Sequence, residues 1–195
     1  MTATTPPNSV HPATRAEWRA WLEQNHTRPD GVWLISFKKA TGKPCVEYDE
    51  AVEEALCFGW VDSKPNKLDD ERSMLWFAPR KPQTGWSKPN KERVARLIQA
   101  GLMAPAGLAK VAAAQQDGSW NALDAVEALE LPPDLQQALA ANTAAQQYWE
   151  AFPRSAKRGI LEWIANAKKQ ETRAKRIAET VSLAAENKCA NQWRT

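Results

Sequence analysis

Cysteine, histidine and glycine are scarce in this sequence, and long apolar runs are missing. The three cysteines, Cys45, Cys57 and Cys189, show no Cys-x-x-Cys spacing. That excludes a disulfide framework and a cysteine zinc site, and it fits a reducing compartment. The two histidines fall in the N-terminal tail (His11) and in a turn (His26), so neither reads as a built general base. Cys57 ends a helix, away from the N-terminal position that favours a thiolate. Nucleophilic catalysis through Ser/His or Cys/His is therefore unsupported. The eight glycines are scattered singly, which rules out a glycine-rich phosphate loop. No run approaches the roughly 20 apolar residues of a membrane span. Met1 to Ala13 has neither a charged nor an apolar signal region, so a cytoplasmic location is expected. The acidic run Asp69-Asp70-Glu71 has no calcium-loop spacing and reads as a solvated turn. No metal and no cofactor are expected.

What is present is tryptophan: ten in 195 residues, within 43% apolar residues overall. Each can bury roughly 150–250 Å². The net charge of +3 is unevenly spread. Residues 105–150 carry one Lys/Arg against six Asp/Glu, whereas residues 151–195 carry ten against four. A basic C-terminal segment thus follows an acidic one.

Thr14 and Glu17 form a capping-box pattern ahead of Trp18, Trp21 and Leu22 at helical spacing. Val32 to Lys39 reads as a strand that begins buried and emerges at a sheet edge. A helix follows from Tyr48 to Phe58, with Tyr48, Ala51, Val52, Ala55 and Leu56 on one face and Gly59 as its stop. Trp60 to Lys64 and Ser73 to Ala78 read as a small antiparallel pair. On the first of these, Trp60, Asp62 and Lys64 share a face. Ser87 caps a helix to Ala100. From Pro105 on, only helices are indicated. Ser155 and Thr172 read as caps of the last two, and Ile177, Ala178, Val181 and Ala185 face inward on the final one.

The expected fold class is α+β: N-terminal helices with a small, mostly antiparallel sheet, then an all-α module. The expected organisation is a loose tail (1–13), an α+β domain (14–104), a helical linking segment (105–130), the all-α module (131–188) and a tail (189–195).

Several motifs in order carry a family resemblance. They are Glu53 to Asp62, Leu68 to Arg72, Phe77-Ala78-Pro79-Arg80 and Trp86 to Asn90, then Leu131 to Leu135, Ile160 to Ile164 and Glu171 to Ile177. Over residues 14–188 the chain resembles the bacterial YdeI/OmpD-associated (OmdA, bacteriocin-protection) family. The resemblance implies a YjbR/frataxin-like N-terminal fold and a stress-protection role linked to tolerance of cationic antimicrobial peptides. It implies no catalytic residues.

The candidate ligand site comprises Trp60, Asp62, Lys64, Trp76, Arg80, Trp86 and Asn90. Aromatic walls with a carboxylate and a guanidinium suit a small polar ligand or a peptide with a cationic side chain. The competing reading is tryptophans in the core and an Asp62–Arg80 structural ion pair. The leading function is non-catalytic binding in stress protection. The first alternative is nucleic-acid binding through Lys168, Lys169, Arg173 and Arg176 on the basic helices. The second is an enzyme of unknown reaction with Asp62 as base and Arg80 as anion binder. Oligomeric state is not legible in the sequence.

Overall fold

The computed structural model describes residues 4–191. The chain divides into two compact units, the first ending at Asn121 and the second starting at Ala122. The first is α+β and the second all-α.

In the first unit the elements run β1 (Ser9–Val10), α1 (Arg15–Asn25), β2 (Val32–Phe37), α2 (Tyr48–Cys57), β3 (Trp60–Lys67), β4 (Arg72–Pro79), α3 (Lys88–Gln99) and α4 (Pro105–Asp117). The sheet order is β1-β2-β4-β3. β2 and β3 both pair antiparallel with β4, and β1 pairs parallel with β2. Residues 9 and 10, expected in a loose tail, are therefore part of the sheet. β1 reaches only Trp33 and Leu34, so the rest of β2 lies on an open edge, as its polar end suggested.

α2 is the centre of this unit. It packs against α1, β3, α3 and α4, and that explains its broad buried face of Ala51, Val52, Glu54, Ala55, Leu56 and Cys57. Tyr48 lies before this cover begins and is 55% exposed, contrary to its expected place in the apolar stripe. Gly59 stops α2 in the left-handed region, at φ 76°. Beneath α2, Trp18 stacks on Trp21 with centroids 5.3 Å apart and meets Phe77 at 5.4 Å. Trp60 meets Trp21 edge-on at 5.9 Å. At about 25 cal/mol per Å², each such buried indole contributes roughly 4–6 kcal/mol of gross stabilisation.

The capping of α1 is split. Thr14 Oγ1 accepts from Glu17 N at 3.2 Å, but the Glu17 carboxylate takes the Ala13 amide at 2.7 Å. Segment 105–130, expected as a linker, instead divides between the units. α4 joins the first core through Gly107, Val111 and Ala114. A Cβ on Gly107 would lie 2.2 Å from the Cys57 carbonyl oxygen, so only glycine allows this approach to α2.

The second unit holds α5 (Asp124–Glu127), α6 (Pro133–Ala140), α7 (Thr143–Ala151), α8 (Arg154–Ala165) and α9 (Gln170–Ala185). α9 packs against α6, α7 and α8. The core gathers Leu135, Leu139, Ala145, Trp149, Ile160 and Ile164. α8 starts after Pro153 and α9 after Lys169, so neither Ser155 nor Thr172 is a cap. Proline already ends the preceding backbone in an extended conformation and supplies the break that Ser155 was expected to mark. The buried stripe of α9 is Ile177, Thr180 and Ala184, while Ala178 is exposed. The Thr180 hydroxyl hides its polarity by donating to Arg176 O at 2.8 Å. Of the expected C-terminal tail, Ala190 is buried in this core; residues 192–195, like 1–3, lie outside the described residues. Among the described residues no helix is long and apolar enough to cross a membrane.

Candidate functional site

A groove of about 900 Å³ opens in the first unit, where α2 begins and the sheet outruns its helical cover. Its apolar floor includes Leu34 and Leu75, which are paired across β2 and β4, and Val46 forms part of the wall. That size lies in the usual range for ligand sites. Tyr48 and Asp62 face each other in it, and Tyr48 Oη donates to Asp62 Oδ2 at 3.1 Å. Burial, then the nearby Asp62 charge, raises the Tyr48 pKa, so the phenol stays a donor.

The charges around the groove are mostly spent. Lys38 Nζ donates to the carbonyls of Asp69 and Asp70 at 2.9 and 2.8 Å. Lys39 pairs with Glu47 at 2.7 Å, and Lys67 with Asp70 at 2.9 Å. Among the described residues Asp62 is the groove carboxylate with no cation beside it.

The seven residues expected to form one cleft are dispersed. Asp62 alone of them lines the groove. Trp60 is 1% exposed, and its indole N–H donates to His26 O at 3.0 Å. Trp76 sits opposite Trp33 in the ladder, one residue from Phe77, and so points to the sheet face away from the core. It meets Trp33 at 5.1 Å. Lys64 leaves the Asp62 face because β3 is irregular between Asp62 and Pro65. Proline lacks the ladder's N–H, and the extra residue shifts the alternation. Asn90 accepts from Arg93 at 3.2 Å. Arg80 and Trp86 are buried together, the guanidinium 3.8 Å over the ring. They line a second, small cavity, so Asp62 and Arg80 neither form an ion pair nor face one substrate.

The acidic run is committed to the β3–β4 turn. Asp69 Oδ1 accepts the Glu71 and Arg72 amides at 3.0 and 2.7 Å, and Oδ2 pairs with the Arg72 guanidinium at 2.7 Å. Among the described residues no three His, Cys, Asp or Glu side chains gather as a metal site.

Two arginines of the basic helices in the second unit pair with the acidic segment before them. Asp134 takes two hydrogen bonds from Arg173, at 2.6 and 2.9 Å, and is thereby held below the usual carboxylate range. Arg158 pairs with Glu127 at 2.8 Å and Glu162 at 2.9 Å. Arg176 donates to Trp163 O and lies 5.0 Å over its ring. Lys168 and Lys169 remain exposed.

Two family models match. Residues 10–110 match the one described as Domain of unknown function (DUF8412). The chain belongs to the DUF8412 family. Residues 128–187 match the OmdA model, described as Bacteriocin-protection, YdeI or OmpD-Associated, so the helical second unit carries an OmdA domain. The resemblance read over residues 14–188 is thus met by OmdA only in this domain, while the motifs between Glu53 and Asn90 lie within the DUF8412 match. No curated protein and no solved structure matches the chain. The groove belongs to the DUF8412 part. Its signal in the sequence was Tyr48 at a helix start, fourteen residues ahead of Asp62, a spacing that only the α2–β3 packing makes meaningful.

Proposed function

We propose that this protein is a non-catalytic binder of cationic peptides, acting in protection against antimicrobial peptides through the groove of its DUF8412 part. The observation that carries the reading is Asp62: a carboxylate without a cation, on an apolar floor, oriented by Tyr48 Oη. A lysine or arginine side chain would supply the missing charge there, and its apolar neighbours would cover Leu34 and Leu75. The OmdA domain supports the protective role through its family description. The nucleic-acid alternative draws less support, because Arg173 and Arg176 are engaged within their own domain.

The test is calorimetric titration with an alternating Lys/Leu dodecapeptide, against a control in which Glu replaces Lys. Wild type is expected to bind the cationic peptide only. Asp62→Asn is expected to weaken binding about 10- to 30-fold, the scale of one charge-assisted hydrogen bond of about 1.5–2 kcal/mol. The fold should hold, because Asp62 accepts a single internal hydrogen bond from a side chain. Equal affinity in Asp62→Asn, or no binding by wild type, removes the proposal.

A further inference from the structure

The second cavity of the first unit holds a buried cation that no protein carboxylate balances. Arg80 follows directly on β4 and is 5% exposed. Its Nη2 donates to Thr84 O at 3.2 Å and to Gly85 O at 2.5 Å. Its Nε, a donor only, has no acceptor. Burial lowers its pKa to about 10, so it is still charged at neutral pH. Ser119 lines the same cavity of about 60 Å³ and is 6% exposed; its Oγ makes no well-formed hydrogen bond, although it lies near enough to the Asp117 carboxylate to help hold that group below the usual carboxylate range.

We propose that this cavity binds a small inorganic anion, held by the Arg80 guanidinium and the Ser119 hydroxyl. A buried charge costs several kcal/mol unless an opposite charge meets it. The Thr84 and Gly85 carbonyls and the Trp86 ring offer partial negative charge only. A water molecule would satisfy Nε but bring no charge. The lining also includes the cations Lys81 and Lys110, against the single carboxylate of Asp117. Asp117 is turned to other work: Oδ1 accepts the Ser119 amide at 2.9 Å and Oδ2 the Gln83 amide at 3.3 Å, which ties the loop after β4 to the end of α4. The positive balance therefore stands. The cavity, of about 60 Å³, has room for a halide or a compact oxyanion. This site is separate from the groove and does not depend on the peptide reading.

The full chain is melted in chloride, bromide, sulfate and phosphate, each against gluconate at equal ionic strength. At ten times its dissociation constant, the favoured anion should raise the Tm of the first unit by about 4–8 °C over gluconate. Ser119→Ala should weaken that anion about 3- to 10-fold, and Arg80→Met should abolish the effect. Crystals soaked in the favoured anion, with bromide standing for a halide, should show its density between Arg80 and Ser119. Should Arg80→Met fail to fold, Ser119→Ala and the density of the favoured anion decide. No gain over gluconate, an unchanged gain in Ser119→Ala, or crystals soaked in the favoured anion without its density in this cavity would each overturn the proposal.

Discussion

Replacing Gly107 by alanine tests the central packing of the DUF8412 part, because two effects of opposite sign compete there. Gly107 lies inside α4, where alanine is the better helix former by about 1 kcal/mol. Propensity alone therefore predicts a gain. The new Cβ, however, would stand 2.2 Å from the Cys57 carbonyl oxygen, 2.7 Å from its carbon and 2.8 Å from the Leu56 oxygen. All three are backbone atoms at the end of α2, so no side chain can swing away. α4 must withdraw, and it would loosen Val111 and Ala114 and the bond from Ala104 N to Cys57 O at 3.1 Å. Overpacking of this kind costs about 1–3 kcal/mol, and the loosened core adds to it. The expected net change is a loss of about 1–3 kcal/mol. Gly159→Ala is the matched control. It lies inside α8, and its Cβ would meet nothing within 4 Å, so a gain of about 0.5–1 kcal/mol is expected. Because the two units need not unfold together, each is read by native-state amide exchange, in α2 for Gly107 and in α8 for Gly159. The reasoning fails if Gly107→Ala is neutral or stabilising while Gly159→Ala behaves as expected.

Two further predictions concern charge. Glu54 is 3% exposed and receives Arg15 Nε at 2.6 Å and Arg19 Nη1 at 2.7 Å, which pins α1 to α2. Glu54→Gln keeps the shape and removes the charge, so urea unfolding should show a loss of about 1–3 kcal/mol with an unchanged m value. Asp134 has its folded pKa depressed, first by Arg173. Its contribution is therefore present above the ordinary carboxylate pKa and is lost as pH falls through the lower folded value. Since the pair is partly exposed, the contribution is at most about 1 kcal/mol. Asp134→Asn should flatten the acid limb of the OmdA domain's stability below about pH 4 by that amount, as read by exchange in α6 and α9. An acid limb identical to wild type would refute the assignment.

The α+β class was legible because its signals are local. Trp18 and Leu22 recur one helical turn apart, β2 is an apolar run between turns, and prolines punctuate the second half. The candidate site was legible only at Asp62. Tryptophan and charge close together in sequence suggested one surface, yet Trp60 and Trp86 went to the core and Trp76 to the opposite sheet face. Alternation along a strand would have excluded Trp76, but the irregularity before Pro65 that displaces Lys64 depends on the partner strand. The two charge blocks misled for a similar reason. Residues 122–195 carry ten Lys/Arg and nine Asp/Glu, and the blocks fold onto each other through Glu127–Arg158 and Asp134–Arg173.

By itself, then, the sequence determined the elements and their class, since hydrophobic period, caps and breakers act over a few residues. It also determined that the glycines stand singly and that the cysteines lack Cys-x-x-Cys spacing. Only the tertiary structure decided that Tyr48 meets Asp62, that Arg80 is buried without a carboxylate, and that Arg158 and Arg173 are paired within their own domain. Those outcomes depend on which distant segments share a neighbourhood, and a charge or an aromatic ring takes its role from the groups packed against it.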